Sequence, residues 1–301
     1  MTKKSNKYTS VIDRDQGGKF GLGRPFYFDN WNNRIAVLLS LIATIAVLTL
    51  KQVTGTATGS VLNDGVNYGV AFFFSYLIAQ ELDPEPGREL GGILAGILSL
   101  VACLAMGTSQ DSVVALLWML FMVRMFNRTS GSRHRIGDNV IMIVAALFLG
   151  KQGFWLVPVV TGLGYILESQ ITDGYQKSLY LGGLAFATCI FVDRPTGVVP
   201  LLDVTYVYLM GVALVLFLPE FTAARITKAK GDRDNRVISF RRLQTGQAFF
   251  VLSTFLIIWF GGNEAAVLML PCVMTAIGCG VWLLFWLMMK KVFNKGEDTE
   301  A

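Results

Sequence analysis

The chain has 301 residues, of which 53% are hydrophobic and only 16% are charged. Soluble domains carry about 25% charged residues, so this chain has too few polar side chains to cover the apolar core that it would form in water. The composition therefore argues against a soluble fold and predicts an all-α polytopic membrane protein whose solvent is the bilayer.

The positions of the charged residues and the cysteines argue against further classes of function. The net charge is +5, but the basic residues lie between apolar segments rather than along one soluble face, so a nucleic-acid partner is not expected. Each of the four cysteines lies inside an apolar run and no Cys-x-x-Cys motif is present, which is typical of small buried hydrophobes. We therefore predict neither a disulfide framework nor a zinc site, and the sequence assigns no metal ligands and no cofactor.

The first 34 residues are polar and basic and lack the apolar stretch of a removable signal peptide. We predict that residues 1–34 form a cytoplasmic tail. Aromatic side chains gather at its end, as in the belts that anchor helices at a membrane interface; they are Phe20, Phe26, Tyr27, Phe28 and Trp31.

Ten apolar segments follow in a predicted transmembrane domain, residues 35–289, and residues 290–301 form a predicted cytoplasmic tail. The segments lie at 35–50, 66–80, 90–107, 113–126, 138–150, 154–167, 179–192, 201–219, 246–261 and 264–289. Several have only about 14 to 16 residues, whereas about 20 are needed to cross the hydrocarbon core. These segments borrow flanking residues, thin the bilayer, or do not cross fully. The pair at 138–150 and 154–167 forms either two crossings or one re-entrant hairpin.

The distribution of Lys and Arg predicts the orientation of the ten segments. With the amino terminus inside, only three of the 26 basic residues fall in outer loops, namely Lys51, Lys151 and Arg194. Because Lys and Arg concentrate in cytoplasmic loops, this bias predicts five hairpins with short outer turns and both termini in the cytoplasm.

A basic polar stretch at residues 220–245 separates the eighth and ninth segments. We predict that it is a cytoplasmic loop. Clustered Lys and Arg beside a membrane helix attract anionic lipid headgroups, and Arg225, Arg241 and Arg242 are the candidate contacts. The expected partners are thus the lipid bilayer and its anionic headgroups.

Acidic residues close the second segment. Glu81 and Asp83 begin a run that also contains Glu85, Arg88 and Glu89. One hypothesis is that these carboxylates hold Mg²⁺ for a phosphate-bearing lipid, since that ion is often shared between carboxylates and phosphates. The alternative is a solvated helix end, in which Glu89 faces the positive end of the next helix dipole.

Two further carboxylates end segments on the same predicted side, Glu168 after the sixth and Glu220 after the eighth. Together with Glu81 they form either a cation-attracting or proton-coupled vestibule or three independent interfacial residues. The fourth segment ends near Arg124, which we expect to extend toward the interface as an orientation signal.

On the predicted outer half, Asp203 follows Pro200 within an apolar run. Paired with Arg194 or Lys151 it would close an outer gate through a salt bridge; alone, it would extend to the interface. In the last segment, Pro271 is expected to bend the helix, and Gly278 and Gly280 are expected to allow close helix packing.

The chain contains no motif that assigns a reaction. Its span count and orientation resemble the drug/metabolite transporter superfamily, in gross architecture only, and this resemblance implies transport of a small solute or a lipid. The alternatives are an integral-membrane enzyme acting on a lipid or polyprenyl phosphate at the cytoplasmic surface, and a non-catalytic subunit of a membrane complex. The short loops favour a prokaryotic cytoplasmic (inner) membrane.

Overall fold

The computed structural model of the chain describes residues 18–24, 26–54, 61–171, 173–193 and 200–297. Within these ranges the fold is helical, and the only β feature is an isolated bridge between Lys230 and Val237. The helices are α1 (Trp31–Thr54), α2 (Val61–Leu82), α3 (Leu90–Met106), α4 (Ser112–Asn127), α5 (Ile136–Lys151), α6 (Leu156–Gln170), α7 (Ser178–Thr188), α8 (Val204–Ala223) and α9 (Phe240–Glu297). Short 3-10 turns, Cys189–Phe191 and Ala224–Ile226, extend α7 and α8.

Helix α9 consists of two antiparallel arms that meet at Gly262. This residue has φ +68° and ψ −153°, a conformation that only glycine adopts without strain. Gln247 in the first arm bonds to the end of α2, and Trp282 in the second arm lies against the start of α3. Because α2 and α3 are joined by a short connection, residues 247 and 282 lie at the same end of the bundle. The chain therefore reverses at Gly262, and we refer to residues 240–261 as α9a and 263–297 as α9b.

The predicted membrane character is confirmed at the level of the helices. Three helical stretches are long and apolar enough to cross a membrane, namely Trp31–Thr54, Val204–Ile226 and Phe240–Val292. Shorter apolar helices lie at Leu90–Met106, Ser112–Asn127 and Ser178–Phe191. The count of ten crossings, the cytoplasmic termini and the prokaryotic inner membrane stay predictions.

Large apolar side chains also cover much of the outer surface of the bundle. On α1 the exposed fraction of Leu41 is 55%, and on α8 it is 71% for Tyr208 and 66% for Val215. A soluble protein rarely exposes contiguous apolar patches of this kind, whereas a lipid-facing helix must.

Four connections lie together at one end of the bundle, which we call the charged end. They join α2 to α3, α4 to α5, α6 to α7 and α8 to α9. Asn127 at the end of α4 bonds to the backbone of Glu81 at the end of α2, and Asp232 bonds to the backbone of Thr129 in the next connection. These are the same connections that the basic residues predict to be cytoplasmic.

The interior is packed with apolar side chains, and small residues allow the helices to approach closely. Trp118, Met119 and Phe250 are essentially inaccessible. A Cβ atom added at Gly278 would lie 2.6 Å from Ala95 Cα, and one at Gly280 would lie 2.1 Å from the carbonyl oxygen of Leu216. The predicted packing role of these two glycines is therefore confirmed.

The structure corrects the limits of the polar segments. The stretch predicted as a loop at 220–245 is helical to Ile226 and again from Phe240, so the connection comprises residues 227–239 only. Ala229 and Ile238 of this connection are buried against the bundle, whereas most of its other residues are exposed. The last helix likewise continues to Glu297, past the predicted end of the span at residue 289.

The described part of the amino-terminal tail also packs against the bundle. Residues 18–24 cross the charged end in an irregular conformation, and the side chain of Leu22 is fully buried. The Asp138 carboxylate at the start of α5 accepts the backbone N–H groups of Gly21 and Leu22 at 2.7 and 3.2 Å. We refer to residues 18–24 as the amino-terminal strap.

Candidate functional site

Three of the buried carboxylates at the charged end lie in the last turns of helices. Glu81 on α2, Glu168 on α6 and Glu220 on α8 have exposed fractions of 1%, 0% and 1%. A buried carboxylate is costly unless cations or donors compensate its charge. Each of the three lies beside arginine, so the sequence-predicted residues are part of three ionic clusters.

The first cluster joins Glu81 to two arginines. Its Oε1 atom accepts hydrogen bonds from Arg24 Nη1 at 3.0 Å and Arg124 Nε at 2.9 Å, and its Oε2 atom accepts one from the Thr129 hydroxyl. Arg24 also forms a bidentate pair with Asp232, at 2.5 and 3.0 Å. One arginine of the strap therefore connects α2 to the α8–α9 connection.

Arg124 is a correction to the expectation from sequence. It does not extend to the interface as an orientation signal: it is buried, and it is paired with Glu81. The reason is that α2 and α4 pack side by side, which brings the two helix ends together.

The second cluster surrounds Glu168. Its Oε1 atom lies 2.9 Å from Arg128 Nη2 and 3.5 Å from Arg242 Nη2. Its Oε2 atom accepts hydrogen bonds from the Ser178 hydroxyl at 2.7 Å and from the backbone N–H of Tyr175 at 3.1 Å. The cluster thus ties the ends of α4 and α6 to the starts of α7 and α9.

His134, the only histidine in the chain, belongs to this second cluster. It was not among the site residues predicted from the sequence. His134 Nε2 lies 3.7 Å from Glu168 Oε2 and 3.0 Å from Ser178 Oγ, and Nδ1 lies 2.8 Å from Asn139 Oδ1. The ring is buried and contacts Tyr175 edge-on. Nothing in the basic sequence around residue 134 indicates burial, because the partners come from α5, α6 and α7.

The third cluster contains two acids and one arginine. Arg88 Nη1 lies 3.1 Å from Asp83 Oδ2, and its guanidinium lies over the Trp286 ring at 5.2 Å. Glu220 interacts electrostatically with both Asp83 and Arg88. Burial raises the pKa of Asp83 to about 6, although Arg88 acts in the opposite direction. The structure thus brings the sequence-predicted Asp83 and Glu220 together around one cation.

We expect the Asp83→Asn variant to have a different pH dependence of stability from the wild type. The ordinary pKa of 3.8 is below the folded value of about 6. The stability that Asp83 contributes is therefore fully present below about pH 3.8 and is lost as the pH rises toward 6, by roughly 3 kcal/mol in all.

Asp83→Asn removes this titration, so the difference in melting temperature, variant minus wild type, should increase between about pH 4 and pH 8. Thermal unfolding in detergent measures this difference. The control variant is Glu264→Gln, which removes one carboxylate from an exposed position at the opposite end. A difference that is constant across this range would contradict the expectation.

The carboxylates of the hypothetical Mg²⁺ site have separate partners. Glu81 pairs with Arg24 and Arg124, Asp83 pairs with Arg88, and Glu85 accepts hydrogen bonds from the connection after α8. Within the described residues, no group of three or more His, Cys, Asp or Glu side chains is arranged to hold a metal ion. The geometry therefore does not support a shared Mg²⁺ site in this run.

The two candidates at the opposite end are exposed. Lys151 is the last residue of α5, and Asp203 caps the start of α8 by accepting the backbone N–H of Thr205 at 2.8 Å. Among the described residues no ion pair joins Lys151 to Asp203, and Arg194 lies outside the described ranges. The gate hypothesis and the choice between two crossings and a re-entrant hairpin stay predictions.

The three candidate lipid contacts have different environments. Arg225 and Arg241 are exposed at the charged end. Arg242 is buried; its Nη1 atom donates to the carbonyl oxygen of Phe126 at 3.1 Å, and its Nη2 atom faces Glu168. Arg242 therefore stabilises the second cluster and is not accessible to a headgroup in this conformation.

A groove of about 780 Å³ runs along the outside of the bundle between α6 and α9a. We call it the lateral groove. One end is polar and the remainder is apolar. Its lining residues are Val160, Leu163, Leu167, Gln170, Ile171, Phe221, Arg241, Gln244, Thr245, Ala248, Phe249, Leu252, Ser253 and Leu256.

A polar cavity of about 480 Å³ lies beside the first cluster. Arg24, Glu81 and Arg124 form part of its wall, and the Tyr76 hydroxyl, which donates to Asn33 Oδ1 at 2.5 Å, forms another part. The strap therefore closes one side of a cavity that contains a sequence-predicted acid. Neither Glu168, Glu220 nor Asp203 lines this cavity or the lateral groove.

None of the family models, curated proteins or solved structures compared with the chain matches it.

Proposed function

We propose that the protein binds a phosphate-bearing anionic lipid in the lateral groove and acts as a lipid transporter. The observation that carries this proposal is the polarity of the groove. Arg241, Gln244, Thr245 and Gln170 lie at the charged end, and apart from Ser253 apolar side chains line the rest. This is the arrangement that an amphiphile with an anionic headgroup requires.

The length of the groove supports a lipid rather than a small solute. Arg241 and Leu256 are 15 positions apart on α9a, which corresponds to roughly 22 Å along a helix. One leaflet accounts for about half of the roughly 30 Å hydrocarbon core. The groove therefore extends past the middle of the bilayer and accommodates a long acyl or polyprenyl chain.

Selectivity in this proposal comes from the headgroup. Moving an acyl chain from the bilayer to an apolar groove gains little, because lipid is as apolar as leucine. The exposed guanidinium of Arg241 supplies a charged donor, and each such cation near an anionic lipid contributes about 1 kcal/mol. The Gln244 amide is held in place by its own bond to the Phe221 carbonyl at 2.6 Å.

Transport of a small polar solute has less support. Such a solute needs a polar path, whereas the centre of the bundle is filled by Trp118, Met119 and Phe250. Two of the carboxylates expected to form the vestibule, Glu168 and Glu220, are instead buried beside arginines.

The test compares two exposed arginines at the same end of the bundle. We expect Arg241→Gln to weaken binding of a phosphatidylglycerol probe about fivefold, because about 1 kcal/mol of attraction is lost. Arg225→Gln removes the same charge from a residue that does not line the groove, so binding should change little. Titration of a fluorescent phosphatidylglycerol against the full chain in detergent measures both.

Transport is measured separately, as the rate at which labelled phosphatidylglycerol changes leaflet in proteoliposomes. Ala248→Trp places a large ring in the groove and should reduce both binding and leaflet exchange. Equal effects of the Arg225 and Arg241 substitutions would indicate general surface attraction and would overturn the groove as the site. Binding without leaflet exchange would overturn the transporter role alone.

A further inference from the structure

A second cavity at the charged end is independent of the groove. It has a volume of about 670 Å³ and lies between the amino-terminal strap and the connection from α4 to α5. Lys19 and Phe20 of the strap form one wall, and Arg133, His134 and Arg135 form the other. We call it the basic cleft.

Hydrogen bonds hold these two segments together. Asp138, in the first turn of α5, accepts backbone N–H groups from Gly21 and Leu22 of the strap. In return, the carbonyl oxygen of Lys19 accepts the N–H of Gly137 at 2.9 Å. This reciprocal pairing holds the strap against the start of α5 and places Lys19 beside the arginines.

The lining of the cleft is cationic. It includes Lys19, Arg133 and Arg135 and contains neither Asp nor Glu. Arg133 Nε is buried and has no hydrogen-bond partner, so this donor is not satisfied by the protein. Arg135 Nη1 donates to the Gly18 carbonyl oxygen at 2.7 Å, and this bond fixes the position of its guanidinium.

The remaining surface of the cleft suits a small organic molecule. The volume is within the range of about 300 to 1,000 Å³ that is usual for small-ligand sites. Phe20 is 52% exposed, and Tyr175 lies beneath the Arg133 guanidinium at 6.0 Å. The buried side chains of His134 and Asn139 form a polar floor.

We propose that the basic cleft binds a phosphate group, with Lys19 and Arg133 as the donors that recognise it. Lys and Arg are the side chains that bind phosphate oxygens most strongly. A phosphate bound here bridges the strap and the α4–α5 connection, so it also stabilises the closed position of the strap.

The test uses the full chain in detergent, titrated calorimetrically with inorganic phosphate and with phenyl phosphate. Lys19→Gln and Arg133→Gln each remove a charged donor and should weaken phenyl phosphate binding about tenfold. Lys177→Gln is the matched control, because Lys177 is an exposed cation at the same end that does not line the cleft. Gel filtration and thermal unfolding establish that each variant is folded.

The source of the phosphate is distinguished by repeating the titration in nanodiscs. If phosphatidylglycerol nanodiscs abolish phenyl phosphate binding and phosphatidylcholine nanodiscs do not, the site takes a lipid headgroup phosphate. If binding persists in both, the ligand is a soluble phosphate compound. The proposal is overturned if phenyl phosphate does not bind, or if Lys177→Gln weakens binding as much as the two cleft variants.

Discussion

Replacing Glu168 by Gln should destabilise the protein by about 3 to 5 kcal/mol, the usual cost of removing one partner from a buried ion pair. The substitution leaves the cationic side chains of Arg128 and Arg242 beside a neutral amide. It also removes the negative charge of the group that accepts hydrogen bonds from the Ser178 hydroxyl and the Tyr175 backbone N–H. Glutamine has nearly the same volume as glutamate, so the lost stability reflects the lost charge and not a new cavity.

Thermal unfolding of the detergent-solubilised chain measures this loss at constant pH. Glu264→Gln is the matched control, since Glu264 is exposed at the opposite end and surface substitutions usually change stability by no more than about 0.5 kcal/mol. Adding Arg242→Gln to Glu168→Gln should cost less than the sum of the two single changes, because they share one interaction. Equal stability of the Glu168 and Glu264 variants would show that the second cluster does not support the fold.

Replacing Glu81 by Gln should release the amino-terminal strap. Arg24 is the strap residue that reaches Glu81 and Asp232, and the substitution removes the first of these charged partners. A charged hydrogen bond contributes about 1.5 to 3 kcal/mol, so the population of the open strap should rise tenfold or more. Opening would also expose the polar cavity beside Glu81 and Arg124.

Limited trypsin digestion measures the opening through cleavage after Lys19, a bond that is protected when the Lys19 carbonyl accepts the Gly137 N–H. Mass spectrometry of the fragment that begins at Phe20 gives the rate, which follows the open population when opening is fast. Glu85→Gln is the control, because Glu85 bonds to Thr227 and Lys228 and does not contact Arg24. Unchanged cleavage in the Glu81 variant would contradict a strap held by this pair.

Glu81 and Glu168 could be identified as candidates from the sequence, but their environment could not. Glu81 and Glu168 stand out because acids that end apolar segments are rare and costly. Their partners could not be inferred, since Arg24 is 57 positions from Glu81 and Arg128 is 40 positions from Glu168. The buried partners of Arg124 and Arg242 likewise come from other helices, so in the sequence these two residues resemble ordinary arginines at the end of a span.

The sequence by itself determined where the helices lie. Each of the ten apolar segments corresponds to a described helix or helical arm, although four of them extend a few residues past its ends, and the interval between 261 and 264 contains the reversal at Gly262. The reason is local: an apolar run must form a helix to satisfy its backbone in lipid, and a positive φ favours glycine.

Only the tertiary structure decided which polar residues meet. The strap, the three ionic clusters, the burial of His134 and the basic cleft all depend on contacts between helix ends that are distant along the chain. Hydropathy marks a charged residue as the end of a span whether its partner is water, a lipid or an arginine from another helix. Packing brings Glu81 to Arg124 and Glu168 to Arg242, and thereby converts expected solvated ends into buried ion pairs.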